Sequence, residues 1–441
     1  MSTERITELE RDELRRLRAE WLQYRSRLHD SETGLPTLSG ILDDLRHDLE
    51  GGAALGVFTF SLNVERQMEE VWGWQAHDRL VVDFIQKLKA DRGGGRVPEG
   101  VLCLPAVRSD EIFLFVSLGA EAGNGSVVPL DDLAADLNGY VRDFLQLRFP
   151  KTDRHRSYIG SSSIVFDPKV RVERLIYRAL HEARGEAYAR SAKAETRVAE
   201  SLRRIISNSE ITAVFQPIFE LPTMEILAFE ALSRGPAGSG FEDGESLFGF
   251  AERSNLLLPL ERACRRRILE DAGPIPASQL LFINLSPAAA SDNEFLEGAF
   301  EKLVREKNFE PSRIVLEITE RTYALNQQLF TDVLSELRRE GFQIAVDDMG
   351  TGYSSFSSLA EIAPNYIKFD SVFVHEIHRH RIKRDLLDAM LSFAQKTGTH
   401  VIAEGIETQE ELDTLLDLGV PFGQGFLLAR PGPLPAEPTS H

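Results

Sequence analysis

Cysteine is nearly absent from this 441-residue chain: Cys103 and Cys264 are the only two. Far apart in sequence, they supply neither a disulfide framework nor a thiolate metal cluster, and both read as small buried hydrophobes. No apolar run approaches the roughly 18 residues that a membrane helix needs. The opening MSTERITELERDELRR carries charge where a signal peptide carries a hydrophobic stretch, so a cytoplasmic protein without a membrane span is expected. Positive charge is also in deficit, with 50 Lys and Arg against 69 Asp and Glu, a net charge of −19. Such a surface disfavours polymeric nucleic acid and anionic membranes. Carboxylates that hold divalent cations would still admit a phosphate compound. Gly (32) and Pro (20) are too few for a collagen-like or low-complexity chain. At about 100 to 200 residues per domain, the length gives two or three folded domains.

From Leu14 the apolar residues recur at Leu17, Trp21, Tyr24 and Leu28, alternating steps of three and four with charges between. That is a short coiled-coil seam or a helix packed on its own domain; helical dimerisation is the expectation. HDSETGLPT ends the helix, which bounds a first segment at 1–29. Between 30 and 190, helices near Leu38–Leu49, Leu80–Leu88, DLAADLNGYVRDFL and RVERLIYRALHEA alternate with the strands VFTFSLN, EIFLFVSL and SYIGSSSIVF. This predicts an α/β sandwich. DRGGGRVPEG and GAEAGNGS lack the GK[ST] ending of a phosphate loop and read as turns. The polar, alanine-rich stretch 191–209 reads as a connecting helix.

From 210 to 434 there are eight strand-like runs: ITAVFQPIFEL, EILAFEALSR, LLFINLS, RIVLEITE, QIAVDDMG, YIKFD, HVIAEGIE and FGQGFLLA. Helical stretches long enough for parallel crossovers separate most of them, which predicts an irregular (β/α)8 TIM-like barrel. The first two runs are joined only around Pro222, so the first strand should run antiparallel to the second. A tail, 435–441, follows. In such barrels chemistry gathers at the C-terminal strand ends. Those ends supply Gln216, Glu230, Asn284, Glu317, Asp347, Asp348, Lys368, Glu404 and Gln424. Carboxylates crowded at one mouth need protonation, cationic partners or metal. All-oxygen donors favour Mg²⁺ or Mn²⁺, and the missing His and Cys argue against zinc. Asp347 and Asp348 could serve two ions, the arrangement that supports phosphodiester cleavage, with Lys368 orienting or polarising the water. His375, His378 and His380 read as a solvated segment before the helix DLLDAMLSFA.

FEALSRG, INLS, LEITE, AVDDMGTGYSS, YIKFD, AEGIET and GQGFLLARP, in this order, resemble the EAL phosphodiesterase domain of bacterial cyclic di-GMP signalling. The resemblance implies two bound divalent cations, Mg²⁺ or Mn²⁺, with calcium suppressing turnover. It implies that Glu230, Asn284, Glu317, Asp347 and Asp348 bind metal and that Glu404 binds metal or acts as base. Lys368 would contact the nucleophilic water. Gln216, Arg234 and Gln424 would serve the substrate, Arg234 by pairing with a phosphate oxygen. Glu320 would hold the loop DDMGTGYSSF after the fifth strand and couple it to barrel pairing. Gly235, Met349 and Ser371 depart from the residues common in the family, and none of them is a ligand.

HDSETGLPTLSGIL and RLIYRALHEARG resemble the opening and closing of a GGDEF diguanylate cyclase domain, but the catalytic motifs are broken. Arg108, Ser109, Asp110, Glu111 and Ile112 replace Gly-Gly-Asp-Glu-Phe, and side chains there block the glycine turn. Ser61 stands for the metal aspartate, Glu69 and Glu70 for the guanine readers, and Glu99 and Leu102 for the inhibitory arginine and aspartate. The expectation is a cyclic di-GMP phosphodiesterase that yields linear pGpG, with a catalytically inactive GGDEF-like domain in a regulatory or dimerisation role. A homodimer is expected, and a protein partner could bind the N-terminal helix or that domain. The rivals are a non-catalytic cyclic di-GMP receptor signalling to a protein partner, and a scaffold that binds no nucleotide.

Overall fold

The computed structural model describes residues 16, 28–61, 74–107, 109–118, 129–148, 158–273, 275–286, 292, 295, 298–319, 327–349, 359 and 361–434. The Leu14–Tyr24 seam, Glu69, Glu70, Arg108, Glu320 and the loop 350–358 therefore lie outside the described residues. The chain divides into two compact units, Met1–Val198 and Ala199–His441.

The first unit is built on a four-stranded sheet of β1 (Leu55–Ser61), β2 (Val101–Cys103), β3 (Glu111–Ser117) and β4 (Ile159–Ile164). The order is β2-β3-β1-β4, and every neighbouring pair is antiparallel. Successive strand residues point to opposite faces, so each face needs its own cover. Phe58, Phe60, Ile112 and Leu114 pack with Phe84 of α2 (Trp74–Asp91) and Phe144 of α3 (Leu130–Arg148). Val57, Phe113 and Phe115 face the other way, onto Leu45 and Leu49 of α1 (Leu38–Glu50) and Ile176 and Leu180 of α4 (Val172–Ser207). The expected α/β sandwich forms; the three-residue β2 was too short to anticipate. Cys103 and Cys264 are both buried free thiols. Among the described residues no helix is long and apolar enough to cross a membrane.

In the second unit eight strands close a barrel: β5 (Thr212–Glu220), β6 (Glu225–Arg234), β7 (Leu280–Asn284), β8 (Ile314–Thr319), β9 (Gln343–Met349), β10 (Tyr366–Phe369), β11 (His400–Ala403) and β12 (Phe422–Gly423). As the short turn at Pro222 predicts, β5 is antiparallel to β6, and also to β12; the neighbours from β6 round to β12 pair in parallel. The eighth run forms only two residues of strand. Gly425 lies so close to the backbone of Ile406 that a side chain there would collide with it, and the chain turns away. Outside the strands pack α5 (Gly244–Arg253), α6 (Leu257–Asp271), α7 (Ala299–Glu306), α8 (Gln327–Glu340), α9 (Ser371–Val374), α10 (Arg381–Thr397) and α11 (Gln409–Asp417).

One interior layer positions the site. Ile218, Ala228, Phe282, Val315, Ala345, Tyr366 and Ile402, one from each of β5 to β11, form a buried cluster, with Phe422 of β12 packed against it. Phe282 and Tyr366 meet edge-on at 5.2 Å across its centre. The barrel is thus plugged by side chains at this level, and whatever stands above the plug stands in the mouth.

Candidate active site

With a side-chain period of two, the next inward position on each parallel strand lies two residues beyond that plug. Those positions are Glu230, Asn284, Glu317, Asp347, Lys368, Glu404 and Gln424; on the antiparallel β5 the equivalent lies two residues before Ile218, at Gln216. A single layer rule thus collects residues spread over more than two hundred positions of sequence. The register agrees, with Gln216 paired to Glu230 and Asn284 to Glu317.

Lys368 is the hub. Its side chain is 1% exposed, and its Nζ lies 2.7 Å from Glu317 Oε1, 2.8 Å from Glu404 Oε1, 3.3 Å from Glu230 Oε2 and 3.5 Å from Asp347 Oδ1. Burial alone would lower the lysine pKa, but the surrounding carboxylates hold it well above the ordinary value, so the ammonium stays charged. One cation faces four acids. Burial and the neighbouring charges of Glu230 and Asp347 push the Glu317 carboxyl well above the usual range against the pull of Lys368. Burial likewise pushes Glu404 up to about 8, again opposed by Lys368. Gln424 Nε2 donates to Glu230 Oε2 at 2.6 Å and to Glu404 Oε1 at 2.9 Å.

These side chains can hold divalent cations. Among the described residues Oε2 of Glu317 has no hydrogen-bond donor, and Oε1 faces the Lys368 ammonium at 2.7 Å. A fully buried carboxylate oxygen without a donor calls for a positive partner. The donor set at the mouth is oxygen throughout, the preference of hard cations. Among the described residues no three His, Cys, Asp or Glu side chains are already gathered as a metal-holding group. The ammonium instead occupies the middle of the acids.

The remaining sequence-predicted residues take separate places. Asn284 is exposed at the end of β7. The buried Gln216 turns its amide to the Ala429 carbonyl at 3.1 Å. Arg234 is half-buried at the end of β6, where its guanidinium donates to the Ser233 carbonyl at 2.9 Å, and it is not gathered about Lys368. The pairing of β9 with β10 slips by one residue between Ile367 and Phe369, which puts the extra residue of a bulge at Asp347–Asp348. Bulges of this kind re-aim residues beside active sites; the side chain of Asp348 lies outside the described residues. His375 and His380 are exposed, as a solvated segment requires, whereas His378 is half-buried with its Nδ1 out of solvent. In the first unit, Glu111 is held by Thr59 at 3.0 Å and by Arg184 Nε at 2.7 Å, and Ser61 is its register partner.

Sequence reasoning passed over three buried charged residues of this unit, Glu411, Glu261 and Arg265. Glu411 is fully buried and accepts from the backbone N–H groups of Glu376 at 2.8 Å, Glu407 at 2.9 Å and Thr408 at 3.0 Å. Its signal was the capping box Thr408-x-x-Glu411. Glu261 and Arg265 are buried on α6, and the signal there was charge on the stripe shared with Leu260, Cys264 and Ile268.

Comparison with known proteins agrees with this geometry: the EAL domain family matches residues 199–431. The chain belongs to the EAL domain family. It is 27% identical over 429 residues to the cyclic di-GMP phosphodiesterase PdeR of Escherichia coli (strain K12), an alignment covering 92% of this chain and 62% of PdeR. Over 244 residues it is 31% identical to the probable cyclic di-GMP phosphodiesterase PdeG of the same organism, covering 53% of this chain and 46% of PdeG. The chain thus spans less than two thirds of the length of these relatives. Among solved structures, the FimX EAL domain of Xanthomonas citri in complex with c-diGMP aligns at 20% identity and a TM-score of 0.51, over 56% of this chain and 97% of that one. At that identity the likeness speaks for the EAL barrel fold alone.

Proposed function

We propose that the chain is a metal-dependent phosphodiesterase that hydrolyses cyclic di-GMP to linear pGpG. The observation that carries the reading is the buried Lys368 ammonium ringed by Glu230, Glu317, Asp347 and Glu404 at the mouth of an EAL barrel. Glu230, Asn284, Glu317, Asp347, Asp348 and Glu404 would hold two divalent cations, Mg²⁺ or Mn²⁺. When bound, the cations supply positive charge against the phosphodiester and lower the pKa of a water. Lys368 orients that water by donating a hydrogen bond, and Glu404 accepts its proton. The water oxygen attacks phosphorus, the P–O3′ bond breaks, and the leaving oxygen takes up a proton. Arg234 pairs with a phosphate oxygen, and Gln216 and Gln424 line the site on the β5 and β12 side of Glu230.

In this reading the first unit is a GGDEF-like domain that has lost cyclase activity and serves regulation or dimerisation. Glu320 and the loop 350–358 couple the barrel mouth to barrel pairing in a cytoplasmic homodimer, and a protein partner would engage the N-terminal helix or the first unit. Isothermal titration of cyclic di-GMP into the full chain in calcium, where turnover is suppressed, tests the ligand. The expected result is one saturable site per chain, weakened in the Glu230→Ala variant. Absence of binding would leave only a scaffold.

A further inference from the structure

Between α6 and the chain beyond β7 lies a second ionic assembly that takes no part in the Lys368 cluster. Asp292 is 0% exposed, Arg265 2% and Glu261 5%. Arg265 bridges the two acids, with Nη2 at 2.8 Å from Asp292 Oδ2 and Nη1 at 3.4 Å from Glu261 Oε2. Arg262, one α6 residue that reaches solvent, adds a bond from its Nε to Asp292 Oδ1 at 3.0 Å. The Arg265 guanidinium also lies over the Phe295 ring, 4.7 Å from its centroid. Burying charges in this way is a weak route to stability, because desolvation offsets much of the attraction. What the assembly does provide is geometry.

That geometry leads to Asn284. Glu261 accepts hydrogen bonds from both the backbone N–H and the hydroxyl of Ser286. The residue between them, Leu285, donates its N–H to the Glu317 carbonyl at 2.8 Å. The exit of β7 is therefore tied on one side to the strand that carries Glu317 and on the other to α6. Asp292, six residues beyond Ser286, returns the chain to the same arginine. Asn284 itself stands exposed at the mouth, with its backbone fastened immediately downstream.

We propose that Glu261, Arg265 and Asp292 form a positioning clamp that fixes Asn284 for cation binding, with Arg262 as its outer brace. The inference rests on the phosphodiesterase reading above, in which Asn284 is a ligand. Outer partners that orient a ligand commonly change metal affinity by about 10- to 100-fold when removed.

The test is calorimetric titration of Mn²⁺ into the full chain, without substrate, for five proteins: wild type, Asn284→Ala, Asp292→Asn, Arg265→Lys and the Asn284→Ala/Asp292→Asn double variant. Lysine keeps the charge of Arg265 but lacks the planar fork needed to reach both acids. Asp292→Asn and Arg265→Lys should each stay folded by circular dichroism and bind Mn²⁺ about 10- to 100-fold more weakly. The double variant should bind no more weakly than Asn284→Ala alone, because the clamp acts through that side chain. Unchanged affinity in a folded variant, or additive losses in the double variant, would overturn the proposal. If Asp292→Asn unfolds, Arg265→Lys decides; if both unfold, the assembly is a folding element and the clamp is rejected. A wild-type chain that binds no Mn²⁺ would instead sink the phosphodiesterase reading, before any variant is compared.

Discussion

Gln424 donates to Glu230 at 2.6 Å across the one antiparallel strand of the barrel, for β12 and β6 flank β5 on either side. The same amide nitrogen reaches Glu404 at 2.9 Å, so one neutral donor joins two acids that would otherwise repel each other.

Replacing that donor should therefore be felt more through charge than through volume. Gln424→Ala loses hydrogen bonds to charged, buried groups, worth about 1.5–3 kcal/mol. Gln424→Glu adds a further acid beside Glu230 and Glu404 and should be the less stable of the two in EDTA. Thermal unfolding without divalent cations compares them; equal melting temperatures would show that repulsion does not govern the site.

Lys368→Met keeps the length of the apolar stem and removes the charged end, leaving four acids without their central ammonium. Breaking a buried pair in this way costs about 3–5 kcal/mol. Mn²⁺ should restore more stability to this variant than to the wild type, since a cation that binds only the folded state adds to its stability. The rate of cyclic di-GMP hydrolysis should fall by about 10²-fold or more while binding falls less, as for a group acting chiefly in the transition state. Equal losses in rate and affinity would make Lys368 a binding residue.

Glu411 should carry part of the acid sensitivity of the EAL domain. Burial alone would raise its pKa, but the N–H groups of Glu376, Glu407 and Thr408, together with the Thr408 side chain, favour the ionised form and leave it below the ordinary value. A depressed carboxyl stabilises the fold above the unfolded pKa of about 4.3, and the contribution is lost as pH falls through the folded value. Glu411→Gln should therefore melt below wild type near neutral pH, by about 1–2 kcal/mol, and converge with it in acid. A difference that stays constant with pH would contradict this.

No cyclic di-GMP should form when the chain is incubated with GTP and Mg²⁺. Ser61 offers no carboxylate, and Glu111 already pairs with Arg184 and Thr59. Chromatography of the products checks this, and any cyclic dinucleotide formed by pure protein would refute it.

The barrel was legible because its signals are local: apolar runs, polar strand ends, and a turn at Pro222 too short for a crossover. The mouth was legible as a set of residues but not as a shape. That Lys368 is the hub, and that Gln424 bridges Glu230 and Glu404, follow from inward layers that only strand register reveals. Asp292 and Arg265 are 27 residues apart, and α6 reads in sequence as an ordinary charged helix. Their pairing depends on tertiary contact alone. The two-residue β12 escaped for a different reason, because GQGFLLA has a strand's composition while Gly425 must pass too close to Ile406 for the strand to continue.

The central claim is tested most directly by incubating the full chain with cyclic di-GMP and Mn²⁺ and resolving the products by chromatography. The account predicts conversion to linear pGpG by the wild-type chain and its loss in a folded Glu230→Ala variant. Cyclic di-GMP recovered intact from a wild-type chain that binds it would contradict the account and leave a receptor in place of an enzyme.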